Sequence, residues 1–143
     1  MRKYPLHFVS ILFFIVTVLC SCNKDNTGAE SALAYQMLGD KIWYLEYTQT
    51  TTNNSTVSKT YVGQSTYYIQ FLNDHTTKDS DGLIGTYTVA NSGAQLQIVV
   101  NAKLTSGITS NYSYKVLSLG ANNMVLFVTN GNTTTNYYYS TLK

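Results

Sequence analysis

From Gly39 to the C-terminus the chain is cut at short intervals by clusters of Asn, Ser, Asp and Gly, and the segments between the cuts are rich in Thr and Tyr. The cuts are Asn73-Asp74-His75, Asp81-Gly82, Asn91-Ser92-Gly93, Gly120-Ala121-Asn122-Asn123 and Asn130-Gly131-Asn132. Each is turn chemistry, because Gly, Asn and Asp accept the left-handed backbone that tight turns require. Thr and Tyr suit a pleated, half-buried surface. The pattern predicts strands at Lys41–Gln49, Ser58–Val62, Thr66–Leu72, Thr76–Ser80, Ile84–Ala90, Ala94–Asn101, Asn111–Leu119, Met124–Thr129 and Thr135–Leu142, two or more of which can be one bent strand. Links this short join antiparallel neighbours and leave no room for parallel crossovers. The expected fold is all-β, an antiparallel up-and-down barrel of about eight strands, since a meander with one apolar face tends to close on itself.

Alternation assigns the faces. The period-2 sets Trp43/Leu45/Tyr47, Tyr67/Ile69/Phe71, Tyr87/Val89, Leu96/Ile98/Val100, Tyr112/Tyr114/Val116 and Met124/Leu126/Val128 are taken as the interior. Tyr137, Tyr138 and Tyr139 run together, so one parity cannot hold all three. Ahead of the strands lies one short helix, about Glu30 to Leu38. Thr27-Gly28-Ala29-Glu30 fits a capping box, Leu33, Ala34, Met37 and Leu38 fall at helical spacing, and Gly39 stands where the helix should end. So small a stripe must dock on something larger.

The N-terminus reads differently. Arg2 and Lys3 precede a twelve-residue apolar run, Phe8 to Leu19, which is shorter than the roughly 20 residues a spanning helix needs. This is a secretory signal, and it runs into Leu19-Cys20-Ser21-Cys22, which looks like a bacterial lipobox. Cys22 is the expected lipid acceptor, with Cys20 disfavoured because Leu19 would then occupy the small-residue position before it. An ordinary secretory signal with two incidental Cys is the other reading. Residues 1–21 are therefore expected as signal peptide, 22–29 as tether and 30–143 as the barrel domain. Several alkyl chains on one residue, each CH₂ contributing about 0.8 kcal/mol, anchor durably in a membrane. The expected location is the outer membrane, on its periplasmic side or at the cell surface.

Charge narrows the partners. Only 11% of the residues are charged, and from Cys22 onward seven Lys balance seven acidic residues, with no Arg. Nucleic acid requires clustered cationic side chains, so it is excluded. One His and one Cys remain after the leader, without an acid pair, a metal set or a triad, so no enzyme, metal or cofactor is expected. The chain is expected to act as a monomer.

A family resemblance rests on particular residues: the lipobox and tether, Leu38-Gly39-Asp40-Lys41-Ile42-Trp43-Tyr44-Leu45, the turn Phe71-Leu72-Asn73-Asp74, the segment Gly85-Thr86-Tyr87-Thr88-Val89 and the Tyr-rich closing strand. Over about residues 33 to 143 the chain resembles the small lipocalin-like lipoproteins of bacteria. Trp43 matches the Trp at the base of the lipocalin barrel, whereas Gly39 lies four residues before it rather than two. The resemblance implies a barrel whose open end holds a small apolar or amphipathic molecule. It does not transfer a ligand.

Candidate sites follow. Trp43 is expected as core at the barrel base. Asp74, Asp79 and Asp81 with Asn73 and Gly82 offer oxygen ligands and a tight turn for Ca²⁺, but lack the EF-hand spacing and its closing Glu, so a solvated hairpin is expected. His75, alone in a turn, is expected at the surface. Tyr67, Tyr87, Tyr114 and Tyr139 are the candidate ligand-binding residues, to be found away from Trp43 and the helix. The same phenols could instead fill the barrel, which would make the protein an interaction or structural lipoprotein of the envelope.

Overall fold

The computed structural model describes residues 27–92, 95–104 and 107–142. The expected signal peptide, the lipobox-like sequence with Cys22 and the first part of the expected tether lie outside these residues. The described chain runs α1 (Thr27–Leu38), β1 (Lys41–Thr52), β2 (Ser55–Thr60), β3 (Tyr68–Phe71), β4 (Thr76–Asp79), β5 (Leu83–Ser92), β6 (Gln95–Leu104), β7 (Thr109–Leu119), β8 (Asn123–Asn130) and β9 (Thr133–Ser140). β3 to β9 form a continuous antiparallel meander, and β1 closes it by pairing with both β3 and β9. The result is the expected closed barrel, of eight strands.

The ninth strand, β2, is the extra one. β1 turns through Asn53 and Asn54, both in the left-handed region at φ 49° and 64°, as a two-residue hairpin requires. β2 then pairs with Tyr47 to Thr52 on the edge of β1 whose other end, Lys41 to Tyr44, pairs with β3. β2 and β3 thus lie end to end along one edge of β1, and β2 is exposed throughout.

Two register shifts decide which residues face inward. In β1 the pairing with β9 slips between Leu45 and Tyr47, a bulge that admits Glu46 as an extra residue and reverses the alternation beyond it. Thr48, opposite Tyr137, is buried, while Tyr47 turns outward and stacks on Tyr138 at 4.0 Å between ring centroids. The expected interior set Trp43/Leu45/Tyr47 is therefore corrected at its last member. A second bulge, between Val116 and Ser118 in β7, pushes Leu117 out and keeps both Val116 and Leu119 against the core.

The core occupies the end of the barrel under α1. Trp43, Phe71, Tyr87, Ile98, Met124 and Leu126 are its largest fully buried barrel residues, and Leu38 reaches them from the helix. The helix is needed there because β4 is short. β4 pairs with β5 only as far as Thr86, which leaves the edge of β5 beyond it without a strand. The structure fills that edge piecewise: Tyr87 N–H donates to the carbonyl of His75 at 2.8 Å, and Val89 N–H donates to the Tyr35 hydroxyl at 2.8 Å. Asn91 Nδ2 donates to Glu30 at 3.2 Å. Covering an edge in this way satisfies the backbone and blocks further strand pairing.

The helical contact face is Ala34, Tyr35 and Leu38 rather than the expected stripe with Leu33, which is 52% exposed. The indole N–H of Trp43 donates to the carbonyl of Leu38 at 3.2 Å, taking up one of the carbonyls a helix end leaves over. The chain leaves the helix through Asp40, whose φ of 56° supplies the left-handed residue expected of Gly39. Gly39 is required for another reason. A Cβ there would sit 2.0 Å from Oδ1 of Asn73, whose backbone N–H donates to Asp40.

Candidate ligand-binding site

Among the described residues no helix covers the barrel end opposite α1. There the strands finish or begin with Tyr, Thr and Asp, and their inward side chains leave a cavity of about 230 Å³. Its floor is Leu45, Ile69, Leu83 and Val100, its wall is Tyr112, Tyr114, Tyr137 and Tyr139, and Tyr67, Tyr68 and the segment Thr77 to Asp81 complete the lining. The cavity is below the usual ~300–1,000 Å³ of drug-sized sites and equals about eight liquid waters. It suits a ligand with a single small ring or its equivalent.

The local sequence explains the wall. In β9 the alternation sends Tyr137 and Tyr139 inward, opposite Leu126 and Met124, and sends Tyr138 outward onto Tyr47. The triple tyrosine thus serves both faces, and Tyr138 is fixed by donating its hydroxyl to Gln49 Oε1 at 2.9 Å. In β7 Tyr112 and Tyr114 share the inward parity, facing Val100 and Ile98 of β6. Within each strand the rings are nearly parallel: Tyr112 and Tyr114 at 28°, Tyr137 and Tyr139 at 19°. Between the strands they meet at right angles, Tyr114 and Tyr137 at 89° with centroids 6.3 Å apart. Tyr67 stands at the mouth, 38% exposed, edge-on to Tyr61 at 4.8 Å.

The hydroxyls divide into two groups. Those of Tyr35, Tyr87 and Tyr138 are engaged with Val89 N–H, the Leu72 carbonyl and Gln49 respectively. Those of Tyr114, Tyr137 and Tyr139 have no hydrogen-bond partner among the described residues. Burial pushes all three phenols above their ordinary range, and the neighbouring phenols add to the shift. They are neutral hydroxyls at physiological pH, able both to donate and to accept. Asp79 also has a raised pKa, because its burial outweighs the backbone N–H groups of Leu83 and Asp81 that donate to its Oδ1 at 3.0 and 2.9 Å.

Of the four tyrosines singled out from the sequence, the cavity brings together Tyr67, Tyr114 and Tyr139. Tyr87 is a correction. It lies at the other end of the barrel under α1, edge-on to Phe71 at 4.8 Å and 5.6 Å from Tyr35, with its hydroxyl bound to the Leu72 carbonyl at 3.1 Å. Alternation placed Tyr87 inside, but not at a height along the axis, which depends on the pairing of Tyr87 with Val100. Tyr112 and Tyr137 are lining residues that sequence reasoning did not select, and Asp79 and Asp81, expected only in a solvated hairpin, line the cavity as well. The inward parity of Tyr112 was available as a signal, whereas that of Tyr137 was hidden by the adjacent tyrosines.

The remaining candidates sit elsewhere. Trp43 is buried at the helix end, away from the cavity. His75, exposed and at φ 66°, lays its ring on Tyr35 at 4.5 Å. Asp74 caps its own turn by accepting from the N–H and hydroxyl of Thr76, which hold its carboxyl below the usual range. Among the described residues no three His, Cys, Asp or Glu side chains are grouped to hold a metal ion. Compared with known proteins, the chain matches no family model, no curated protein and no solved structure.

Proposed function

We propose that the chain is a lipid-anchored envelope protein whose barrel binds a small molecule in its open end. The observation that carries this reading is a cavity lined by Tyr114, Tyr137 and Tyr139, whose hydroxyls have no hydrogen-bond partner among the described residues. A phenol hydroxyl without a protein partner can both donate to and accept from matching polar atoms of a ligand. Small-molecule sites have this make-up, an apolar lining with a few converging polar groups. The same chemistry argues for binding rather than catalysis, because a phenol pushed above its ordinary pKa is a poor general base near neutrality. The anchor in this reading is Cys22 in the outer membrane, and its support is the lipobox-like sequence and the resemblance to lipocalin-like lipoproteins.

Native mass spectrometry of the protein purified from its source cells, after removal of its lipids, tests the binding part. The expected spectrum contains a fraction heavier by one small molecule, released on unfolding. A bare polypeptide mass under gentle ionisation refutes the carrier reading. The exposed strand β2, with one edge unpaired, then favours the alternative of an interaction module that recognises its partner outside the barrel.

A further inference from the structure

The cavity has a charge asymmetry that a purely apolar ligand would not use. Two carboxylates line it, Asp79 and Asp81, whereas the one cation among the lining residues, Lys78, is on the outward parity of β4, paired with the exposed Ile84. Asp79 spends Oδ1 on the backbone of Asp81 and Leu83, and Oδ2 has no partner among the described residues. The field of these carboxylates reaches the interior, since Asp79 contributes to raising the phenols of Tyr114 and Tyr139 and Asp81 to raising that of Tyr139. An anion entering here meets repulsion in a poorly solvated space.

The rings point the same way. Tyr112 and Tyr114 are nearly parallel, as are Tyr137 and Tyr139, and Tyr114 meets Tyr137 at right angles, so tyrosine rings of two orientations line one cavity. An aromatic face is the negative part of its ring and attracts a cation, most strongly where water is excluded. Rings in a corner with a carboxylate near the opening are the arrangement by which proteins hold ammonium ions.

We propose that the open-end cavity selects a small organic cation, an ammonium group held among the tyrosine rings with Asp79 as counter-ion. This inference rests on the binding role proposed above and narrows it to one ligand class. The unpartnered hydroxyls of Tyr114, Tyr137 and Tyr139 would bind polar substituents on the rest of the molecule, and the size of the cavity limits that remainder to a single ring or a short chain.

The test uses probes matched in shape and different in charge. Choline, 3,3-dimethylbutan-1-ol and 3,3-dimethylbutanoate share a branched head and a short polar chain, and tyramine with 4-ethylphenol provides the corresponding aromatic pair. Titration of the purified full chain by calorimetry should show at least one of the two cations binding about tenfold or more tightly than its neutral counterpart, with the anion weakest. Asp79→Asn retains the oxygen that accepts from Asp81 and Leu83, so it should leave the melting temperature in place while cutting the preference for the cation about fivefold or more. Asp81→Asn, at an exposed position, should cut it less and serves if the first variant unfolds. Equal binding of cations and neutral counterparts overturns the inference and leaves the carrier reading standing. Binding of none of the five also overturns it, and the native mass of the cellular protein then decides separately whether the carrier reading falls.

Discussion

Trp43 joins the helix to the barrel, and Trp43→Phe isolates that joint. The indole is fully buried among Leu38, Phe71 and the rest of the core, and its N–H holds the carbonyl of Leu38 at the end of α1. Phe keeps an aromatic ring in place but removes about two buried carbons, at about 0.8 kcal/mol each. It also leaves the Leu38 carbonyl without its donor, at about 1–3 kcal/mol. The expected loss is about 3–4 kcal/mol, a large part of the roughly 5–15 kcal/mol by which single domains are stable. Trp43→Ala would add a larger cavity, costing about 3–5 kcal/mol before the carbonyl is counted, and is a poorer test because it approaches global unfolding. Urea denaturation followed by far-UV circular dichroism gives the difference directly, with an unchanged slope showing that the same surface unfolds. A loss below about 1 kcal/mol would show that neither the burial nor the hydrogen bond to Leu38 holds the helix end in place.

Gly39→Ala places a methyl group against Asn73 Oδ1 and should destabilise by about 1–3 kcal/mol in the same assay; a neutral result would mean that Asn73 moves freely. Tyr114→Phe with Tyr139→Phe removes hydroxyls that have no partner among the described residues, so stability should hold while affinity for a ligand that bonds them falls by about 1–3 kcal/mol per bond. Tyr87→Phe should behave oppositely, losing about 0.5–1.5 kcal/mol of stability with its bond to Leu72 and leaving ligand affinity unchanged. Burial raises Tyr87 from 10.0 to about 12, so it stabilises the fold fully below pH 10 and loses that contribution as pH rises towards 12. Tyr114, Tyr137 and Tyr139 act in the same direction, and melting temperatures should therefore fall steeply above pH 10; a flat profile refutes the burial of these phenols. Cys22→Ala should abolish incorporation of labelled fatty acid and release the chain from the membrane fraction, and continued acylation would place the anchor elsewhere.

The barrel was legible because its signals are local. Turn residues at short spacing and strands of period 2 leave few alternatives to an antiparallel meander, and the inward sets of β5, β6 and β8 follow from alternation alone. What alternation cannot see is a change of phase. Glu46 enters β1 as an ordinary-looking polar residue, yet the bulge there exchanges Tyr47 for Thr48 in the interior. Nor does alternation give height, so Tyr87 and Tyr114 looked equivalent although one lies beneath α1 and the other lines the cavity. The left-handed residue after α1 is Asp40, where the choice between Gly39 and its neighbour depended on the approach of Asn73, a contact 33 residues from Asp40 in the chain. The role of Tyr35 at the free edge of β5 was likewise hidden, because it depends on how early β4 stops.

The central claim is that a ligand enters the open end and meets the tyrosines that line it. Fluorine NMR of protein carrying 3-fluorotyrosine reads this one ring at a time, with single Tyr→Phe variants assigning the signals. On addition of a small-molecule extract of the source cells, the resonances of Tyr112, Tyr114, Tyr137 and Tyr139 should shift and saturate, while those of Tyr35, Tyr87 and Tyr138 stay in place. Shifts confined to Tyr35 and Tyr87, or none at all from a protein shown to be empty beforehand, would contradict the account.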